Sequence, residues 1–255
     1  YAGVYDLLDK LEQKIAREYL SFKELRSISP NIIEFKNVSF KYNDEKPILE
    51  NVTFKIQKGE KVGFIGETGT GKSTLSDLLM GFLKPSSGQI LIDGMDIYDE
   101  KYPTRIVNWR KSISHVPQTI FLTDSSIAEN IAFGKKFKDI DMEKVKICAD
   151  HAQISEFIEK YKNSYSANVG ERGVKISGGQ RQRIGIARAL YMDKKILFLD
   201  EATSALDNKT EKIVMKSIEK NYKDITIFII AHRLSTINFC NRVFKILDRQ
   251  LFEVS

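Results

Sequence analysis

Cysteine is scarce in this 255-residue chain, with only Cys148 and Cys240, in separate segments. That excludes a disulfide framework, and the spacing excludes a cysteine-built metal centre. Both read as buried or half-buried thiols of a reducing compartment. Histidine numbers three and tryptophan one. No apolar run approaches the roughly 18 residues that cross a bilayer. The longest, Ile225 to Ala231, is strand-sized. No secretory signal, internal repeat or low-complexity tract is visible.

What is present is ordinary globular material: 42% hydrophobic residues, enough for a sizeable core. The net charge is +6, from 40 basic and 34 acidic residues. A basic balance can signal nucleic acid or a membrane surface. Here the basic residues are scattered and many have acidic neighbours, as in Lys212 to Lys220. A solvated, mildly basic surface is expected, with no nucleic-acid partner.

Two glycine-rich segments stand out. Gly66-Glu67-Thr68-Gly69-Thr70-Gly71-Lys72-Ser73 fits G-x-x-x-x-G-K-[ST]. The apolar run Lys61 to Ile65 before it predicts a strand, and the segment Ser73-Thr74 to Met80 after it predicts a helix. Phosphates would then meet backbone N–H groups at a helix N-terminus. Lys72 is expected at the β- and γ-phosphates, and Ser73 at Mg²⁺. The second segment is Ser177-Gly178-Gly179-Gln180. Downstream, the apolar strand Leu197-Phe198-Leu199 ends in Asp200 and Glu201. That pair would stand at the ligand-binding edge of an open α/β sheet. Asp200 is the expected Mg²⁺ partner and Glu201 the expected base for an attacking water.

In this order, the P-loop, Ile176 to Gln180, Asp200-Glu201, Ser204-Ala205-Leu206-Asp207 and His232 resemble nucleotide-binding domains of ABC transporters. Val116-Pro117-Gln118, Glu129-Asn130-Ile131, Val169 to Gly173 and Ala231 to Thr236 resemble the exporter type. The closing stretch resembles bacterial flippases and exporters of lipid-linked saccharides. The resemblance runs from about residue 32 to about 250.

What it implies can be laid on residues. Tyr42 would stack on adenine. Gly66, Glu67, Thr68, Gly69, Thr70, Gly71, Lys72, Ser73 and Thr74 would hold ATP. Gln118 would touch Mg²⁺ and sense the γ-phosphate. Ser177, Gly178, Gly179 and Gln180, ahead of a helix from Arg181 to Leu190, would grip ATP held by a second subunit. His232 would bond the γ-phosphate and align Glu201 and water. Asp207 reads as a cross-subunit contact or as the N-cap of a helix from Lys209. Ile176 replaces the family's usual leucine. His115 and His151 match no family site.

The expected fold is α/β: a RecA-like P-loop core with an antiparallel β flank and a helical subdomain at about 119–190. Residues 1–30 are expected to form a linker helix with an apolar stripe through Val4, Leu7, Leu8, Leu11, Ile15 and Tyr19, ended by Pro30. Together with the non-methionine start, this predicts a piece of a longer protein, its membrane domain in the same parent chain. Residues 31–255 form the nucleotide-binding domain. The expected activity is ATP hydrolysis in a head-to-tail homodimer, driving export or flipping at the cytoplasmic face of a bacterial inner membrane. Alternatives are a soluble ABC ATPase acting on ribosomes or DNA, and an importer ATPase subunit. The ribosome-acting class usually carries two such domains in tandem, and chromosome-maintenance or DNA-repair ATPases separate their motifs by a long coiled coil. The Glu171-Arg172-Gly173 segment and the linker argue against the importer.

Overall fold

The computed structural model describes residues 26–43, 46–231 and 233–254. The expected linker helix, up to Leu25, and His232 lie outside them. In chain order the elements are β1 (Ile32–Phe40), β2 (Leu49–Gln57), β3 (Lys61–Ile65), α1 (Lys72–Met80), β4 (Ser87–Ile92), β5 (Met95–Asp96), α2 (Thr104–Lys111) and β6 (Ile113–Val116). Then come α3 (Ile127–Ile131), α4 (Met142–His151), α5 (Ser155–Lys160), α6 (Gly178–Tyr191), β7 (Ile196–Asp200), α7 (Asn208–Asn221), β8 (Thr226–Ile230), α8 (Leu234–Ile237), β9 (Arg242–Leu247) and β10 (Gln250–Glu253).

The strands form two sheets. β2-β1-β4-β5 is antiparallel; β10-β9-β3-β8-β7-β6 is parallel except where β10 turns back on β9. β7 and β8 are apolar at almost every position because both faces of the larger sheet are covered. Ile196 and Phe198 of β7, with Phe228 and Ile230 of β8, pack towards the antiparallel sheet and α1. Leu197, Leu199, Ile227 and Ile229 pack towards the helices that run from α3 to α7. A run of rings crosses the first of these cores, from Phe35 and Phe54 through Phe64 to Phe228 and Phe198, with centroids 4.6–6.2 Å apart.

Two elements depart from the sequence reading. α2 was not anticipated; its sequence is mostly polar, and of its residues only Trp109 is buried. The indole Nε1 donates to Leu79 O at 2.8 Å, fixing the helix to the end of α1. α6 begins at Gly178, not Arg181. Two adjacent glycines look like loop, but Ser177 and Gln180 form a capping box that starts the helix at once.

Candidate nucleotide site

β3 ends at Ile65, the chain turns through Gly66 to Gly71, and α1 starts at Lys72. Gly71 is the N-cap, with φ 102°, and a Cβ there would lie 2.9 Å from Ile48 Cγ2. Gly69, at φ 83°, would meet nothing within 4 Å, so its backbone faces open space. α1 has no side-chain cap and no acid in its first turn. Its leading N–H groups therefore suit an anion. The Lys72 ammonium is buried and donates to Gly66 O at 2.8 Å and Glu67 O at 2.7 Å. Thr70 Oγ1 donates to Glu67 O at 2.9 Å. Burial pushes the Lys72 pKa down; the Glu201 and Asp200 carboxylates oppose this, and the net direction is downward.

Asp200 closes β7, and Glu201 follows it at φ 46°, a left-handed conformation that costs a non-glycine residue about 1–3 kcal/mol. Its amide donates to Ile230 O at 3.0 Å, so β8 holds the turn. Gln118, just beyond β6, donates from Nε2 to Glu201 Oε2 at 2.7 Å. A 610 Å³ cavity is lined by Thr68, Gly69, Gly71, Lys72, Ser73, Thr74, Gln118, Asp200 and Glu201, with Ile48 and Ile230 as apolar walls. Ile48 and Ile230 were missed in the sequence because an apolar residue flanking a strand carries no ligand signal.

Other expected site residues lie elsewhere. Tyr42 is 44% exposed, its ring edge-on to Phe40 at 4.8 Å, and is not among the residues lining the cavity. Gly66 and Glu67 contribute as the carbonyls that hold Lys72. Thr70 lines an adjoining opening with Lys46, Asp248 and Arg249. Ser177 to Gln180 sit apart, at the start of α6. Gln180 N donates to Ser177 Oγ at 3.3 Å, and Ser177 N donates to Gln180 Oε1 at 2.9 Å. A Cβ on Gly179 would come 3.0 Å from Ala205 O, so this helix end packs tightly on the loop after Glu201. Gln182, missed in the sequence, staples the two: its Nε2 donates to Ser204 Oγ at 2.9 Å, and its Oε1 accepts from Ala205 N at 2.8 Å. Asp207 N-caps α7, accepting from Lys209 N and Thr210 N at 3.0 Å. His151 Nδ1 pairs with the Tyr222 hydroxyl at 2.9 Å. Cys148 is buried and Cys240 half-buried, both as free thiols.

The cavity fits a nucleotide with Mg²⁺. Its floor is an uncapped helix end with a buried ammonium. Its metal-compatible groups are hard oxygen donors: the Ser73 hydroxyl, the Gln118 amide and the Asp200 carboxylate. Among the described residues, no three His, Cys, Asp or Glu side chains form a metal cage. The hard oxygen donors suit Mg²⁺, which usually binds through one or two carboxylates plus substrate phosphates.

The sequence pattern of the ABC transporter family matches residues 49–204. ATP-binding cassette sub-family B member 5 of Mus musculus is 46% identical over 208 residues, 80% of this chain and 16% of its own length. The ATP-dependent lipid A-core flippase of Pseudoalteromonas translucida is 40% identical over 224 residues, 87% of this chain and 38% of its own. The solved structure of a bacterial Atm1-family ABC exporter with ATP bound matches with a TM-score of 0.80 and 35% identity, covering 89% of this chain and 39% of that one. The chain thus spans well under half the length of each of these proteins. The family pattern coincides with the stretch that carries the phosphate loop, Gln118, the capped glycine motif and the Asp200-Glu201 pair, and the chain belongs to the ABC transporter family.

Proposed function

We propose that this chain binds and hydrolyses ATP in a head-to-tail dimer and thereby powers export or flipping by an ABC transporter. The observation that carries this reading is the division of the phosphate-binding groups. Lys72, Ser73, Gln118, Asp200 and Glu201 converge on one cavity, while the Ser177 helix end presents its glycines elsewhere. A second copy would bring that helix end to the cavity, completing the γ-phosphate's cradle of amides.

In this reading Lys72 leaves the carbonyls of Gly66 and Glu67 for the β- and γ-phosphates. Ser73, Gln118 and Asp200 would hold Mg²⁺, which when bound would supply positive charge against the phosphates. Glu201 orients a water and takes its proton, and Gln118, bonded to it, reports the state of the site. His232 aligns the same water, and Tyr42 stacks on the base. ATP favours the closed dimer and product release the open one. A membrane domain, expected in the same parent chain, converts closure into movement of cargo. The likeness to an ATP-dependent lipid A-core flippase supports a lipid or lipid-linked saccharide as cargo, and the proposed place of action is the cytoplasmic face of a bacterial inner membrane.

Glu201→Gln keeps the side chain's shape but not its basicity. ATP binding should persist, turnover should fall by about 10²–10⁴-fold, and a dimer should accumulate with ATP. Turnover at the parent rate would remove Glu201 from this role. Stimulation of the full-length protein's ATPase by lipid-linked saccharides, but not by peptides or drugs, would support the cargo class.

A further inference from the structure

Glu211 is the one carboxylate among the described residues that is almost wholly buried, at 1% exposed. It stands in the first turn of α7, where the helix dipole favours negative charge. A dipole role needs no partners from other elements, yet both Glu211 oxygens are occupied by them. Oε1 accepts from Thr203 Oγ1 at 2.7 Å and from Thr236 Oγ1. Oε2 accepts from Ser235 Oγ at 2.8 Å and lies 3.9 Å from Arg233 Nη1. Burial pushes the carboxyl pKa up, but the three hydroxyls and the Arg233 charge outweigh it and hold it below the ordinary range.

The partners come from two places. Thr203 lies in the loop that follows Asp200-Glu201 at the end of β7. Arg233, Ser235 and Thr236 lie directly after position 232, at the end of β8. Arg233 completes the tie by donating to Leu206 O and Ser204 O, each at 2.8 Å. A cluster made apolar throughout would fill the same space with no charge to desolvate, whereas removing the carboxylate alone strands its three hydroxyl partners and the Arg233 charge. What the carboxylate adds is direction, because it fixes which way the hydroxyls and the guanidinium face.

We propose that Glu211 is a positioning residue for ATP hydrolysis: it clamps the segment after position 232 to the loop after Glu201, so that the two strand ends meet the γ-phosphate as one rigid unit. The proposal rests on the reading of Glu201 and His232 as the hydrolytic pair. Neither the clamp nor its members touch the cavity, so they should matter to the step, not to nucleotide capture.

The test uses the full-length protein with Glu211→Ala, and separately Thr236→Val, which keeps the carboxylate and removes one hydroxyl. ATP affinity should stay within about twofold of the parent, while kcat falls by about tenfold or more for Glu211→Ala and less for Thr236→Val. Glu211→Gln, which retains an acceptor oxygen, should recover part of the loss. The melting temperature, followed in parallel, separates misfolding from misalignment. Parent kcat in a folded Glu211→Ala, or affinity falling in step with kcat, would overturn the clamp. Should Glu211→Ala fail to fold, an unchanged kcat in Thr236→Val overturns it and a selective loss of kcat supports it. The underlying reading fails separately, through a Glu201→Gln variant that still turns over.

Discussion

Single residues in this chain carry more than their type announces. In the sequence Glu211 looks like any acid on an amphipathic, lysine-rich helix, and such acids are usually solvated. Its burial depends on Thr203, Ser235 and Thr236, residues from 8 to 25 positions away that no local pattern connects to it. Lys72, Asp200 and Glu201 were legible because a motif fixes both their type and their neighbours. Gln182 was not, since its partners Ser204 and Ala205 meet it only through the packing of Gly179 on Ala205. The lowered pKa of Glu211 carries a pH signature. A carboxyl held below its ordinary 4.5 stabilises the fold above that value, and the contribution is lost as pH falls through the folded-state pKa. The stability difference between parent and Glu211→Gln should therefore be largest above about pH 5 and shrink in more acidic urea titrations.

Elements were readable in proportion to how far their burial was written into local periodicity. β3, β7 and β8 are continuous apolar runs, and each appears within a residue or two of its expected bounds. α2 shows one buried residue, Trp109, and so gave no periodic signal. The start of α6 was legible in principle: Ser177 and Gln180 stand three apart, as a capping box requires, but the two glycines between them suggested a loop. α3, only five residues long, leans on the same device. Ser126 Oγ accepts from Glu129 N at 3.2 Å, and Glu129 Oε2 accepts from Ser126 N at 3.0 Å. Ser126→Ala should cost about 1 kcal/mol. In a domain of this size that is a drop of about 2–4 °C in melting temperature, readable by calorimetry.

For the whole molecule, the proposed division of the site predicts complementation. A chain with Lys72→Ala lacks the phosphate lysine but keeps the Ser177 helix end; a chain with Ser177→Arg is the reverse. Each alone should be inactive, and Ser177→Arg alone should still bind ATP. Mixed in equal amounts, half the dimers are hybrids with one sound site of two, so about a quarter of the parent ATPase rate should return. A mixture as inactive as its components would argue for a site completed within one chain. The architecture has a further consequence. Alternate residues of β7 and β8 enter opposite cores, so one sheet is structural property held in common by both halves. Neither half can melt while the other keeps its wall. Heat should therefore take the described fold apart in one cooperative transition, with calorimetric and van't Hoff enthalpies in agreement.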